Sequence, residues 1–187
     1  MPIKQQILFQ EGIFFITITC HKWIHLFEIT TGYDIVYKWF DFLRLQNHYI
    51  VAFTIMPNHL HVIIGFTNKG IPINKIIGGG KRFMAYEIIN RLKSNNQMDI
   101  LELLARHVKK SDQKRGKLYE VWEDSFDWKD CRSAAFILQK LEYLHRNPCA
   151  GKWKLAPVPE DYLHSSARYY CTGEQGIYPV THYQELL

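Results

Sequence analysis

The chain has few cysteines and no long apolar run, and both absences narrow the classes of protein it can represent. Its four cysteines are widely separated among 187 residues, at Cys20, Cys131, Cys149 and Cys171. None forms a CxxC pair, so neither a zinc knuckle nor a dithiol redox motif is indicated. No apolar run approaches the roughly 20 residues that span a bilayer. The chain begins MPIKQQ, without a basic segment followed by an apolar one. We therefore expect a cytoplasmic protein with reduced thiols and no membrane partner.

The composition is that of one globular domain with a modest excess of positive charge. Apolar residues make up 47% of the sequence and aromatic residues 14%, which is enough for a substantial core. Because there is no internal repeat, low-complexity tract or evident linker, we expect a single domain over residues 1–187. The net charge of +5 favours a polyanionic partner, although a moderate positive charge also serves solubility alone.

Hydrophobic patterning predicts an alternation of strands and helices. Strands are expected over residues 12–21, over 49–66 with a turn at Met56-Pro57-Asn58, and over 118–124. Helices are expected over residues 30–46, 71–94, 97–110 and 131–147, with a polar loop at 111–117. The order β-α-β-β-α-β-α predicts an α+β fold of ferredoxin-like (RRM-like) type, in which helices pack on one face of an antiparallel sheet.

Two histidines lie two residues apart in the central pair of strands. His59 and His61 flank Leu60, and residues i and i+2 of a strand share a face. The two imidazoles should therefore project side by side while Leu60 enters the core. Neutral imidazoles held in this way form half of a divalent-metal site. Histidines in strands are also commonly structural, so this motif alone leaves both interpretations open.

A second pair of polar groups falls on the last predicted helix. Tyr143 and Asn147 are four residues apart and therefore lie one turn apart on the same helical face. An amide oxygen is a competent ligand for a hard cation, and a phenol is a nucleophile once its proton is removed. Tyr143 is one of eleven tyrosines, and its simpler interpretation is an aromatic side chain that packs on the sheet.

Two segments together resemble a known family. MPNHLHVII and YLHRNPCAGKW are similar to the motifs of the IS200/IS605-like single-tyrosine (Y1) transposases of the HUH class, especially the REP-associated tyrosine transposase branch. His59-Leu60-His61 matches the HUH motif. The tyrosine motif Y-[IL]-H-x-N-P is matched by Tyr143, Leu144, His145, Asn147 and Pro148. The resemblance extends roughly over residues 10–170, and the paired motifs are more specific than either alone.

The resemblance implies an enzyme whose catalytic tyrosine lies on a C-terminal helix. Tyr143 would be the nucleophile, and His59, His61 and Asn147 would hold Mg²⁺ or Mn²⁺. Such a transposase cleaves single-stranded or hairpin DNA through a covalent 5′-phosphotyrosine and transfers strands, in DNA transposition or in mobilisation of REP-like elements. Related enzymes work as monomers or as homodimers that exchange this helix, so both arrangements stay open.

Basic and aromatic side chains outside the motifs are candidates for DNA contacts. The basic candidates are Lys81, Arg82, Arg91, Lys93, Lys109 and Lys110. The first two follow three glycines, which permit close approach to a phosphate, but a solvated basic face explains each cluster equally well. The aromatic candidates for stacking on unpaired bases are Trp122, Phe126 and Trp128, which are also suited to core packing.

Two other functions stay open. A non-catalytic nucleic-acid-binding module can use the same sheet architecture, because fold does not determine function. However, the aromatic-glycine RNP1 pattern is absent, and a simple binder has no need of the two histidines, the tyrosine and the asparagine. A domesticated transposase with a regulatory role in its host is the other alternative.

Overall fold

The strands of the protein form one four-stranded antiparallel sheet. The computed structural model describes residues 7–67, 69–124 and 126–187. The strands are β1 (Gly12–Thr19), β2 (Tyr49–Met56), β3 (His59–Phe66) and β4 (Asp127–Asp130). Their order across the sheet is β2-β3-β1-β4, and each neighbouring pair is antiparallel. The predicted α+β class and the strands predicted at 12–21 and 49–66 are confirmed.

Helices connect and cover the strands. The α-helices are α1 (Leu26–Ile29), α2 (Tyr33–Leu45), α3 (Ile73–Ser94), α4 (Met98–Arg106), α5 (Lys110–Gln113), α6 (Ala134–Arg146) and α7 (Ala167–Thr172). Short 3-10 helices lie at His21–Trp23, Asn147–Cys149, Pro159–Asp161 and Tyr183–Leu186. Among the helices of the described ranges, none is long and apolar enough to cross a membrane.

Two sequence predictions between α4 and α6 are wrong. Residues 118–124 make only an isolated bridge, between Cys20 and Trp122, and the fourth strand begins at Asp127. The reason is that the 118–124 backbone divides its hydrogen bonds between partners: Glu120 N–H donates to the Leu104 carbonyl of α4, and Glu123 N–H donates to Thr19 of β1. In addition, residues 111–117 are not all loop, because α5 occupies the beginning of that segment.

The helices cover both faces of the sheet, whereas the sequence predicts that they pack on one. On the first face, Leu60 and Val62 of β3 belong to a core shared with α2 and α3. On the second face, Ile63 packs with Leu141 and Leu144 of α6. The prediction is wrong because β3 is buried along its whole length, so both of its faces require cover.

Helix α6 is held firmly over that second face. The Ser133 hydroxyl caps its first turn by accepting a hydrogen bond from Phe136 N–H at 3.3 Å. Near its other end, the Thr54 hydroxyl of β2 donates to the Leu144 carbonyl at 2.9 Å. Pro148 follows within a 3-10 turn and prevents the α-helix from continuing. These restraints determine the position of the helix relative to β3.

Candidate active site

The two histidines of β3 project side by side on the face covered by α6. Their ring centroids are 4.7 Å apart with an interplanar angle of 78°. Both are buried, each with 4% of its surface exposed, and Leu60 between them faces the opposite core. The strand geometry therefore produces the arrangement that the HxH spacing predicts.

Each histidine has its Nδ1 held by a neighbouring polar group. The Asn58 amide oxygen lies 2.7 Å from His59 Nδ1. Since that oxygen can only accept, His59 carries its proton on Nδ1 and presents a lone pair at Nε2. His61 Nδ1 lies 2.9 Å from the Thr17 hydroxyl of β1. Within the described part of the chain, His61 Nε2 is buried without a hydrogen-bond partner.

Burial keeps both imidazoles neutral. It lowers the pKa of His59 from 6.5 to about 4. Burial likewise lowers the pKa of His61 well below 6.5, and the charges of His59 and Lys140 contribute in the same direction. Because a histidine must be unprotonated to bind a metal, these pKa shifts favour ligation at neutral pH.

Helix α6 brings its two polar groups to this pair within the same chain. The Asn147 amide nitrogen lies 3.4 Å from His59 Nε2. The Tyr143 ring centroid lies 5.2 Å from that of His61, and 52% of the tyrosine surface is exposed. The four residues named by the two sequence motifs therefore converge, with the phenol open to solvent and the imidazoles beneath it.

The donor set fits a divalent cation. The described residues include no group of three His, Cys, Asp or Glu side chains that could hold a metal. The available donors are instead the Nε2 atoms of His59 and His61 and the Asn147 amide, which presents its oxygen after a half turn. The buried, unpartnered Nε2 of His61 is the observation that favours a ligand here, because a buried polar atom without a partner is costly.

Sequence reasoning missed the groups that orient these side chains. Thr17 is opposite His61 in the β1–β3 register, a relationship that no short motif reveals. Asn58 immediately precedes His59, so its adjacency was the available signal. Lys140 was also missed: its ammonium lies 5.7 Å from the Tyr143 ring centroid and 5.2 Å from that of Phe15. Its position three residues before the tyrosine on one helix was the signal that could have identified it.

The basic residues proposed for DNA contacts are placed elsewhere, and Arg91 has a structural role. Its guanidinium forms a bidentate ion pair with Asp34 of α2, at 2.7 and 2.6 Å, and donates to the Thr31 carbonyl. This pairing occupies the guanidinium and joins α3 to α2 on the sheet face opposite the histidines. The geometry gives no support to Arg91 as a DNA ligand.

The other basic candidates divide between engaged and exposed side chains. Lys81 Nζ donates to the Glu123 carbonyl at 3.2 Å, and Lys93 Nζ lies 5.6 Å from the Tyr119 ring centroid. Lys109 forms an ion pair with Asp124. Arg82 on α3 and Lys110 on α5 are exposed. Their role in DNA binding stays a prediction.

The three aromatic residues that were candidates for either base stacking or core packing lie in or against the core. Trp122 is 6% exposed and contacts Phe27 at a centroid distance of 5.9 Å. Trp128 packs edge-on against Phe14 at 5.8 Å, and Phe126 packs on the same cluster. The core interpretation was therefore the correct one for this group.

Comparison with one solved structure shows a shared fold. A REP-associated tyrosine transposase bound to a REP hairpin superposes with a TM-score of 0.61 at 15% identity, over 96% of this chain and 89% of that one. A candidate transposase from Deinococcus radiodurans R1 gives a TM-score of 0.42 at 13% identity, over 78% of this chain and 97% of that one. No protein-family model and no curated protein matches the sequence. The resemblance predicted from the motifs is thus confirmed at the level of the fold of a tyrosine transposase.

Proposed function

We propose that this protein is a metal-dependent tyrosine transposase that cleaves single-stranded DNA and transfers the cut strand. One observation carries the proposal: His59, His61, Asn147 and Tyr143 converge on one face of the sheet, although one strand and three helices lie between the motifs along the chain. A structural explanation accounts for the buried histidines, but it gives no reason for an open phenol and an unpartnered Nε2 to meet there.

The chain's own residues would divide the work as follows. His59, His61 and Asn147 would hold Mg²⁺ or Mn²⁺, which when bound polarises the scissile phosphate and helps to orient it. Asn58 would keep His59 in the ligating tautomer, and Thr17 would orient the ring of His61. Half-exposed Tyr143 is accessible to a DNA strand that enters from solvent.

The proposed covalent step uses the Tyr143 phenol as the nucleophile. The Tyr143 oxygen loses its proton and forms a bond to phosphorus, while the bond from phosphorus to the 3′ oxygen breaks. The 3′ oxygen takes up a proton and leaves as a hydroxyl, and the 5′ phosphate stays on the tyrosine. The phosphodiester energy is retained in that link, so a second 3′-hydroxyl can reverse the reaction on a different strand.

One feature supports single-stranded or hairpin DNA as the substrate. The similar fold of a transposase bound to a REP hairpin makes a hairpin or its single-stranded flank a reasonable ligand for this chain.

We also infer that the sheet is of the ferredoxin-like type, since the succession β-α-β-β-α-β and the order β2-β3-β1-β4 agree with it.

The test is covalent capture of DNA. The protein is incubated with labelled single-stranded hairpin DNA and Mg²⁺ or Mn²⁺, and adducts are separated under denaturing conditions. Wild type should form an adduct that disappears in Tyr143→Phe and in excess chelator. Tyr86→Phe, which alters a tyrosine 66% exposed on α3, is the matched control and should behave as wild type. Equal adduct from wild type and Tyr143→Phe would exclude Tyr143 as the nucleophile.

A further inference from the structure

A second aromatic surface lies beside the histidine pair, formed by residues to which neither the HUH motif nor the Y-[IL]-H-x-N-P motif assigns a role. The Trp23 ring centroid is 5.6 Å from that of His59, and the Trp153 centroid is 5.9 Å from the same ring. Trp23 is 57% exposed, so its indole presents a large apolar surface to solvent. Both tryptophans are therefore immediate neighbours of a candidate metal ligand.

The backbone that carries Trp23 is strained. Lys22 and Trp23 have φ values of +51° and +58°, in the left-handed region that bulky side chains rarely adopt. Residues held in this region persist only where surrounding contacts impose them, and they concentrate at functional sites. Burial in the core does not explain why a tryptophan occupies this strained backbone position, because its side chain is largely exposed.

Contacts to the active site hold the strained turn in place. The Asn58 amide NH₂ donates to the Trp23 carbonyl at 2.9 Å, while the oxygen of the same amide binds His59 Nδ1. On the other side, Lys22 N–H donates to the Glu123 carboxylate at 2.7 Å. One side chain, Asn58, thus sets both the histidine tautomer and the placement of the indole.

We propose that Trp23, together with Trp153, forms a stacking surface for an unpaired base of the nucleotide next to the scissile phosphate. The inference rests on the proposed function, because a phosphate held at His59 would bring an adjacent base onto these rings. Aromatic rings bind single-stranded bases by stacking, with little dependence on sequence. Lys152, whose ammonium lies 5.3 Å from the Trp153 centroid, supplies positive charge suited to the neighbouring backbone phosphate.

The experiment measures binding without catalysis. Tyr143→Phe protein in Mg²⁺ is titrated with a fluorescein-labelled oligothymidylate of about 12 nucleotides, within the usual site size, and with a strand of equal length made of abasic units. Trp23→Ala should weaken binding of the oligothymidylate roughly 5- to 150-fold, and Trp23→Phe should restore most of the affinity. Each substitution is made in the Tyr143→Phe protein. The abasic strand should bind the Tyr143→Phe protein and its Trp23→Ala derivative with equal affinity. Tyr86→Ala, on α3, is the matched control for loss of an exposed aromatic side chain and should have no effect.

The outcomes separate this inference from the proposed function. Unchanged oligothymidylate affinity in Trp23→Ala overturns the stacking surface, even where the wild type forms a covalent adduct. An equal loss on the intact and the abasic strands also overturns it, because the effect would then not involve a base. Trp23-dependent binding without any adduct supports the stacking surface while refuting the proposed chemistry. Thermal unfolding of each variant verifies that the fold is retained.

Discussion

Replacement of Thr17 by valine should weaken metal binding without removing any metal ligand. The Thr17 hydroxyl lies 2.9 Å from His61 Nδ1 and is the side-chain group that orients that ring. Valine suits a β-strand and keeps the branched shape, so the main loss is the hydrogen bond. Without it, the Nδ1 position is left without its partner, and the ring gains freedom to leave the orientation that this hydrogen bond imposes.

The magnitude follows from the role of such supporting hydrogen bonds. Loss of a partner that orients a histidine ligand typically lowers metal affinity 10- to 100-fold, or about 1.4–2.7 kcal/mol. Isothermal titration of the protein with Mn²⁺ measures this change directly. Nitrogen NMR of the His61 side chain provides a metal-free measurement, in which the Nδ1 resonance should shift in Thr17→Val because its hydrogen bond is lost.

Thr17→Ser is the matched control, because it keeps the hydroxyl and removes only a methyl group. We expect its Mn²⁺ affinity to stay within roughly 3-fold of wild type. Equal affinity in wild type and Thr17→Val would refute the argument that Thr17 prepares His61 for a metal. A loss in Thr17→Ser as large as in Thr17→Val would refute it as well, since the hydroxyl would then not be the cause.

Three further predictions concern the stability of the fold. A Cβ on Gly80 would overlap the Trp39 indole, whereas Gly79 has open space around it. In urea unfolding, Gly80→Ala should therefore lower the free energy of unfolding by about 1–3 kcal/mol, and Gly79→Ala should raise it by about 0.5–1 kcal/mol. Arg91→Lys should lower the unfolding free energy by about 1 kcal/mol or less and leave oligonucleotide affinity unchanged, because the partly exposed pair with Asp34 is structural. A selective loss of DNA binding would instead support the predicted role of Arg91 as a DNA contact. Burial lowers the pKa of His164 from 6.5 to about 4, so the unfolded chain protonates first and stability should fall as the pH drops from 6.5 toward 4. His164→Phe, which retains stacking on Tyr33, should make that decline shallower, and an unchanged slope would contradict the assignment.

Much of the candidate site was predictable because regular structure determines which residues share a face. The period of a strand places His59 beside His61, and the period of a helix places Asn147 one turn beyond Tyr143. The structure adds that the histidine pair meets the pair formed by Tyr143 and Asn147, which the periods of a strand and a helix cannot predict. The resemblance to a transposase family supplied that expectation before any coordinates did.

The rest depended on partners that are distant in sequence. Thr17 and His61 are 44 residues apart in the sequence and are brought together by the β1–β3 register. Arg91 and its partner Asp34 are 57 residues apart. The exposure of Trp23 depends on left-handed backbone geometry that hydrophobic patterning does not encode. Composition identified aromatic residues as candidates for stacking, but only tertiary contacts distinguish buried Trp122 from exposed Trp23.

The alternation of side chains along β3 has an evolutionary consequence. Its residues facing α2 and α3, such as Leu60 and Val62, maintain the larger core, whereas His59 and His61 face the other way. Mutation can therefore erase the histidines one at a time while the larger core stays intact. Under the proposed function, a lineage descended from this protein has a short path to a folded form that holds DNA without cutting it, and a host could retain such a form as a regulator.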